Sequence, residues 1–454
     1  MTGNRFHEFV SETVYDSLPT AVKRMAERCL IDLIGTAAAG SQTNLSRIIN
    51  NHAVRHFAAS GLPAARLLFD GRSTGSLGAA LGGGFTIDSF DSHDGHVLTK
   101  GHAGRAILPG RLGLVETIGR TTTGEEFLTS LVIGYEVAIR AGIAQHRIAP
   151  DYHTSGAWNA LGVAAVAGRH LGLDVARMRE AVGIAEYHGP RSQMMRCIDF
   201  PTMVKDGSGW GAMAGLSAAY LAEDGFTGAP ALVVEDEAVA DLWSDLGTHW
   251  RILELYFKPH PVCRWAQPAI EAALAVRRAH SFSLEDIETI EIETFHNAIR
   301  LDQFRPKSTE EAQYSLPFPV AVAVVNGDLP PFTIIGDALQ DPTVLSVSDR
   351  IRLVEAKEID ARFPAERLAR ARFRMTDGRV LESETLTARG DAERPLSDTE
   401  TERKFYTIAG DFCSLARAEA IIQAVKGLRK QPSIDQLLDL IVAPPQASLQ
   451  RAVA

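Results

Sequence analysis

The sequence predicts a mainly α protein, in which an all-helical domain formed by both chain ends carries an inserted α+β lid domain. From about residue 20 to residue 255, apolar and small residues recur at the three- and four-residue spacing that lets helices pack closely. The pattern changes to strand alternation after residue 264, and helical character returns near residue 395. The predicted domains are therefore 1–264 (helical), 265–394 (lid) and 395–454 (helices that rejoin the first domain).

Each part of the chain carries its own local signals. Small residues dominate the helical stretches AVKRMAERCLIDLIGTAAAG and WNALGVAAVAGRHLGLD. In the lid, IETIEIETF alternates apolar and polar residues as a half-buried strand does. The stretch RARFRMTDGRVLESETL predicts two strands joined by a Thr-Asp-Gly turn. Near the end, DTETERKFYTIAG and SIDQLLDLIVA return to helical patterns.

Composition narrows the class of protein. The chain has 454 residues, of which 45% are hydrophobic and 22% charged, as is ordinary for a globular protein. Its 46 Lys and Arg against 56 Asp and Glu give a net charge of −10, so we expect neither nucleic acid nor an anionic membrane as a partner. No secretory signal is visible at the start, and we expect a cytoplasmic protein.

The cysteines do not suggest a metal or redox centre. Cys29, Cys197, Cys263 and Cys413 are far apart in sequence, with no C-x-x-C pair and no set suited to zinc or to an iron–sulfur cluster. We therefore expect no cysteine-based zinc site or iron–sulfur cluster. No Walker A sequence occurs, which removes the commonest signal of NTPases.

The first candidate site is the aspartate–histidine loop, defined as residues 88–104 with the sequence DSFDSHDGHVLTKGHAG. It concentrates six aspartate and histidine side chains around glycines: Asp88, Asp91, His93, Asp94, His96 and His102. A helical pattern follows, so His102 lies near a helix N-terminus, where an anion is favoured and a histidine can exchange a proton. The alternatives are a solvated loop, or a metal site in which His93 and Asp94 resemble the HD dyad of metal phosphohydrolases.

Three further stretches carry candidate groups. His153 precedes a small-residue helix as His102 does, so the pair could serve as base and acid, although a helix-capping loop histidine fits equally well. Lys205 precedes a Gly-rich turn into a helix and could bind a carboxylate. Lys258 and Arg264 lie in FKPHPVCRW, where the prolines exclude regular helix. The alternative for this last stretch is a solvated basic linker.

Taken together and in order, these stretches resemble the MmgE/PrpD family. The resemblance covers almost the whole chain and rests on CLIDLIGTAAAG, GHAG, YHTSGAWNALGVAAVAGRHLGLD, MVKDGSGWGAMAGLSAAYLAEDGFTG, FKPHPVCRW and AQYSLPFPVAVAVVNGD. The family includes 2-methylcitrate dehydratase, cis-aconitate decarboxylase and iminodisuccinate epimerase. The chain departs from the common pattern after Lys205, where Asp206 begins a turn that is basic or histidine-bearing in many members.

The resemblance implies a homodimer without cofactor, with its site between the helical domain and the lid. It places the catalytic residues at His102, His153, Lys205 and Lys258. It places the acidic loop position at Asp88 or Asp91, and we add His93 and Arg264 as candidate substrate-binding residues.

The predicted function is a cofactor-independent hydro-lyase that dehydrates a small di- or tricarboxylic hydroxy acid. One of the two histidines would remove a proton next to a carboxylate, the other would protonate the departing hydroxyl, and the lysines would stabilise the developing charge. The same groups could serve an epimerase or a decarboxylase of a polycarboxylate. From other classes, the alternatives are a non-catalytic carboxylate-binding protein and a metal hydrolase.

Overall fold

The computed structural model describes residues 2–149, 151–410 and 412–445. Its helices in chain order are α1 (Thr2–Glu12), α2 (Thr20–Gly40), α3 (Asn44–His56), α4 (Ser76–Asp88), α5 (Gly104–Val115), α6 (Gly124–Ile148), α7 (Gly156–Leu171), α8 (Val175–His188), α9 (Met195–Asp199), α10 (Ser208–Glu223), α11 (Leu232–Glu235), α12 (Ala240–Ser244), α13 (Gln267–Ala279), α14 (His296–Ile299), α15 (Thr309–Gln313), α16 (Pro317–Asn326), α17 (Pro342–Ser348), α18 (Lys357–Asp360), α19 (Asp398–Ala409), α20 (Leu415–Gly427) and α21 (Asp435–Val442).

The strands are few and mostly short. They are β1 (Ala65–Arg66), β2 (Ser73–Thr74), β3 (Gly95–His96), β4 (Leu255–Tyr256), β5 (Ile287–Thr294), β6 (Ile351–Glu355), β7 (Leu368–Met375), β8 (Val380–Glu382) and β9 (Leu386–Thr387). The prediction of a mainly α protein with an α+β second unit is confirmed.

Two hydrophobic cores organise these elements. The larger core joins α2, α5, α6 and α7 with side chains of α19, α20 and α21, so helices from both ends of the chain share one interior. The smaller core belongs mainly to residues 265–394 and also takes in Phe90 and Ile198 from the helical part. We call these two parts the helical body and the lid. Because body residues complete the lid's core, the two parts are packed together over an apolar contact.

Helix α6 is the central helix of the body. It is long and apolar enough to cross a membrane, but 94% of its most apolar 18-residue window is buried inside the protein. Its two interior charges, Glu136 and Arg140, pair with each other at 3.3 Å. Glu136 also accepts the backbone N–H of Ile252 at 2.8 Å, and Arg140 contacts Asp245. A buried charge pair with these extra partners is typical of a core helix in a folded domain.

The lid contains a five-stranded sheet. Strand β5 lies between β6, to which it is parallel, and β7, to which it is antiparallel; β8 and β9 both pair with β7. The hairpin predicted from the Thr-Asp-Gly sequence is present, with Gly378 at φ +87° and the Met375 N–H bonded to the Arg379 carbonyl at 2.9 Å. Helix α13 packs against β7 and connects the sheet to the body.

Close helix contacts position the functional loops. A Cβ on Gly84 of α4 would lie 2.6 Å from the Gly209 Cα of α10, which is closer than real Cβ contacts. Gly207, just before α10, has φ +69°, a conformation that L side chains rarely adopt. The small residues that predicted close packing therefore bring the starts of α5, α7 and α10 to one region of the body.

Candidate active site

A cavity of about 280 Å³ lies where the body meets the lid. The aspartate–histidine loop contributes Asp91 and His102 to its wall, and the lid contributes Tyr314 and Arg367. Arg264, from the segment between body and lid, completes this set. The location agrees with what the resemblance implied.

The aspartate–histidine loop is buried, which rules out the solvated-loop interpretation. Asp88 is fully buried and is the last residue of α4 rather than part of the loop proper, while Asp91, His93 and His96 are also buried. The loop ends at α5, where a side chain on Gly104 would collide with the Tyr135 hydroxyl. The glycines of GHAG thus allow a charged loop to lie against the core.

Arg105, in the first turn of α5, neutralises the carboxylates beneath the cavity. Its guanidinium pairs with Asp88 at 2.5 Å and also contacts the carboxylate of Asp206. Asp206 accepts hydrogen bonds from the Ser155 backbone N–H at 2.7 Å and from the Ser155 hydroxyl at 2.5 Å. Burial raises the pKa of Asp88, and the charge of Arg105 opposes that rise. Asp206, which precedes α10, therefore links the first turn of α5 to the start of α7.

Asp91 receives several donors. Lys258 donates to its carboxylate, and the side-chain carbonyl of Gln313 accepts the Asp91 backbone N–H at 2.8 Å. Burial raises the pKa of Asp91, but Lys258 and Lys205 lower it more, so that it lies well below its usual range. Burial lowers the pKa of Lys258, which is 1% exposed and is therefore no solvated linker residue.

Lys205 is linked to the same group of residues through the lid. Its ammonium donates to the Gln313 side-chain carbonyl at 2.8 Å and lies 4.9 Å from the centre of the Tyr314 ring. Lys205 itself lines a neighbouring groove of about 530 Å³ rather than the cavity, and its backbone has φ +47°. The structure thus places Lys205 behind Tyr314, one side chain away from the cavity.

His102 has the geometry of a proton acceptor. Its Nδ1 lies 2.5 Å from the carbonyl oxygen of Asp94, so Nδ1 carries the hydrogen and Nε2 keeps its lone pair. Its backbone N–H donates to the Ser155 hydroxyl at 3.1 Å. Burial, together with Lys258 and Arg105, lowers the pKa of His102 well below its usual value. The imidazole is therefore neutral at pH 7.

The carboxyl group of Asp94 is fixed separately from its carbonyl. The Tyr135 hydroxyl donates to it at 2.5 Å. Burial and the nearby charge of Asp32 raise the pKa of the Asp94 carboxyl to about 7. The residue that orients His102 is thus itself anchored to the central helix α6.

One group of donors could in principle hold a metal ion. Asp91, His93 and His102 each offer a ligand atom, and these atoms lie within 4.8 Å of one another. However, Lys258 is bonded to Asp91, and the Arg105 guanidinium lies 3.2 Å from His93 Nε2. Two fixed cations next to the donor atoms repel a divalent ion, so the residues present do not suit a metal.

The ring of His153 lies away from the cavity wall. Its backbone N–H donates to His146 Nε2 at 3.3 Å, its ring lies 5.5 Å from that of His146, and it is not among the residues that line the cavity. Its Nε2 is buried without a hydrogen-bond partner in the described chain. His153 does stand just before α7, as predicted, but that similarity to His102 does not bring the two rings together.

The lid side of the cavity carries two arginines. Arg264 pairs with Asp391 and lies over the Tyr256 ring, 4.2 Å from its centre. Arg367 lines the same wall, donates to the Pro364 carbonyl at 3.2 Å and forms no ion pair within the described ranges. Arg367 is thus a buried cation that is free to meet an anionic ligand in the cavity.

Sequence reasoning missed four of these residues. Arg105, Gln313, Tyr314 and Arg367 all belong to the site but were not predicted as site residues. Arg105 directly follows GHAG, and Gln313 and Tyr314 lie within AQYSLPFPV. These three residues therefore lie in or next to motifs on which the resemblance rests. Arg367 lies in no such motif.

Several known proteins with similar sequences are cis-aconitate decarboxylases or are named as similar to them. The cis-aconitate decarboxylase of Aspergillus terreus is 22% identical over 481 residues, covering 97% of this chain and 96% of that protein. The human cis-aconitate decarboxylase is 23% identical over 462 residues, covering 94% of this chain and 92% of that protein. A cis-aconitate decarboxylase-like protein of Aspergillus oryzae is 22% identical over 469 residues, covering 95% of both.

Two family models also match. Residues 4–247 match the MmgE/PrpD N-terminal domain, and residues 260–430 match the MmgE/PrpD C-terminal domain. The two matches lie on either side of the segment that contributes Lys258 to the site. With most of its length accounted for in this way, the chain belongs to the MmgE/PrpD family.

Proposed function

We propose that this protein is a cofactor-independent lyase of small di- or tricarboxylic acids, and that it removes water from a hydroxy acid. The observation that carries the proposal is the state of His102. Its Nδ1 is committed to the Asp94 carbonyl and its pKa is lowered, so Nε2 is a ready base on the cavity wall.

The proposed elimination uses groups of the site in sequence. Nε2 of His102 takes the proton from the carbon next to a substrate carboxylate, and the electron pair of that C–H bond becomes the new C=C bond as the C–O bond breaks. The hydroxyl takes up a proton and leaves as water. Two donors are candidates: Lys258, which is bonded to Asp91 of the cavity wall and whose lowered pKa suits proton release, and His153, which the sequence predicted but which does not line the cavity.

The lid wall supports a polycarboxylate substrate. Arg264 and Arg367 present two guanidinium groups to one cavity, and planar guanidinium groups bind carboxylates through paired hydrogen bonds. Lys100, which lines the same cavity and is exposed, adds positive charge at its edge. A local excess of cations thus offsets the overall acidity of the chain for an anionic ligand.

Decarboxylation is the second candidate, and the activity of the cis-aconitate decarboxylases that resemble this chain favours it. In that reaction the bond to a carboxylate breaks, carbon dioxide leaves, and the carbanion accepts a proton. The carbanion would take its proton from Lys258, the same candidate donor as in dehydration, while the neutral His102 would have no proton to remove. Dehydration uses both groups, and for this reason the unliganded geometry supports it more directly. Epimerisation would use the same base and return the proton to the opposite face.

The experiment is proton NMR in deuterated water with the full-length protein after chelator treatment. Citrate, 2-methylcitrate, malate and cis-aconitate are the test compounds. An alkene formed with loss of water supports the hydro-lyase, whereas carbon dioxide release supports the decarboxylase. Deuterium incorporation without net conversion supports the epimerase. Tight binding without any product would support a non-catalytic carboxylate-binding protein and refute the enzyme proposal.

Variants assign the roles. His102→Gln should lower kcat by about 10²–10⁴, the usual contribution of a general base. His153→Gln and Lys258→Met test the two candidate donors. His280→Gln is the matched control, because His280 is exposed beyond the end of α13. A His102→Gln protein that is folded and fully active would contradict the assignment of the base.

We also propose the homodimer that the resemblance implied. Exposed apolar side chains support it: Phe200, Val204 and Trp210 line one groove and are 70%, 64% and 41% exposed. Apolar patches of this kind often mark protein interfaces. Light scattering should give twice the mass of one chain, and Trp210→Glu should shift the protein towards the monomer. A wild-type protein that is monomeric at all concentrations would refute this proposal.

A further inference from the structure

A second group of cationic side chains lies at the far end of α5. It consists of Arg111, near the end of that helix, Arg120 in the following loop, and Arg169 and His170 at the end of α7. We call it the Arg111 cluster. None of its residues lines the candidate active site. Arg111 is fully buried, and the His170 side chain is 1% exposed.

The nitrogen atoms of this cluster are poorly satisfied. Arg111 donates through Nη2 to the Thr122 hydroxyl at 3.1 Å, while its Nε and Nη1 have no hydrogen-bond partner among the described residues. Neither ring nitrogen of His170 has a partner there either. Four buried polar atoms on two adjacent side chains thus remain without protein partners. Buried polar groups in folded proteins nearly always find partners, so this arrangement needs an explanation.

Charge balance indicates what that partner is. Glu126 is the carboxylate of the cluster, and Arg169 holds it through two hydrogen bonds of 3.0 Å each. Its oxygen lies 3.9 Å from His170 Nδ1. Arg169 thus already compensates the one carboxylate, and the charge of the buried Arg111 has no counter-ion of its own among the described residues, with His170 neutral. Water could accept hydrogen bonds from Arg111, but it would leave this charge in place.

We propose that Arg111 and His170 bind a small inorganic anion, of about the size of chloride, that completes the interior at this end of α5. Nε and Nη1 of Arg111 donate to it, and His170 donates through one ring N–H. The side chain of Arg111 also lies over the Phe127 ring, 5.6 Å from its centre, which holds the guanidinium in place. Arg120, on the exposed loop after α5, donates to the His170 carbonyl at 2.7 Å.

The environment of both groups agrees with this proposal. Burial lowers the pKa of Arg111 to about 9, and burial together with three arginines lowers the pKa of His170 to about 2. An anion between them would oppose both shifts. The site is independent of the proposed lyase activity, because it shares no residue with the cavity.

The direct test is crystallography with bromide as the probe. Crystals of the full-length protein soaked in sodium bromide should show an anomalous peak in contact with Arg111 Nε and Nη1. A crystal that shows bromide elsewhere but only water at Arg111 would overturn the proposal.

The solution test is thermal unfolding at constant ionic strength, with sodium gluconate replaced stepwise by sodium chloride. Chloride should raise the unfolding midpoint of the wild type saturably, by about 1–3 °C. Arg111→Met should lose this dependence, whereas Arg179→Met, in which an exposed arginine paired with Glu235 is removed, should keep it. His170→Leu is a second variant in case Arg111→Met does not fold. No saturable chloride effect in the wild type would also overturn the proposal.

Discussion

Replacing Arg105 by Met tests the charge arrangement beneath the cavity. Arg105 is 1% exposed and pairs with two buried carboxylates, Asp88 at 2.5 Å and Asp206. It also donates to the Ser155 hydroxyl at 3.2 Å. Methionine has a similar length but no charge and no donor. Arg105→Met therefore leaves both carboxylates buried with their main cation gone.

The expected cost is large and depends on pH. Removing one partner of a buried ion pair costs about 3–5 kcal/mol, and we expect a loss of this size in unfolding free energy at pH 7. In the wild type, burial raises the pKa of Asp88, and Arg105→Met removes the charge that most opposes this rise, so the pKa of Asp88 in the folded variant rises further. The destabilisation is therefore smallest at low pH, where both carboxyls are protonated, and grows as pH rises through the raised pKa of Asp88.

The assay is urea unfolding followed by circular dichroism between pH 5 and pH 8. The midpoint should fall with little change in m-value. Arg300→Met is the control, because Arg300 is exposed and pairs with Asp199 at 2.6 Å on the surface, where a pair contributes about 0–1 kcal/mol. The double variant Arg105→Met/Asp206→Asn should lose less than the single variant. A loss below about 1 kcal/mol, or one that grows as pH falls, would refute the reasoning.

Three further predictions concern other parts of the molecule. Gly84→Ala should cost about 1–3 kcal/mol and lower the thermal midpoint, because its Cβ would meet the Gly209 backbone at 2.6 Å; an unchanged midpoint would contradict this contact. Arg367→Gln should raise KM for a tricarboxylate about tenfold or more with little change in kcat, as measured by steady-state kinetics. A lower kcat with an unchanged KM would instead show that Arg367 acts only in the transition state. Burial lowers the pKa of His93, so wild-type stability should fall as pH drops below about 6.5; His93→Asn should weaken that fall, measured by unfolding at pH 7.5 and pH 5.

Local sequence chemistry predicted the elements that local forces determine. The Asp-Gly turn gave the β7–β8 hairpin because Gly378 can take its positive φ without a penalty. The glycines before α5 and α10 correctly placed His102 and Lys205 just ahead of helix starts. Strand β6 was not predicted, because its five residues pair in parallel with a strand about 60 positions away and that pairing leaves no local pattern.

The sequence predicted which types of residue form the site, but not which of these residues contact each other. The sequence spacing of Arg105 and Asp206 does not indicate that they form an ion pair, because only the packing of α5, α7 and α10 brings them together. For His153, the sequence predicted the place in the chain but not the direction in which the ring points. Its position before a helix matches that of His102, but helix starts differ in where they face, and the ring of His153 turns to His146 instead.

The hydrogen bonds of Gln313 limit how substrate can enter. This single amide, on α15 of the lid, accepts from Lys205 and from the Asp91 backbone at 2.8 Å and donates to the Ser89 carbonyl at 3.0 Å. A movement of α15 away from the body would leave three buried polar groups without hydrogen-bond partners, at a free-energy cost of roughly 1–3 kcal/mol each. The lid is thus a fixed wall at this point, and the exposed Lys100 places a positive charge at the edge of the cavity that would attract an acid.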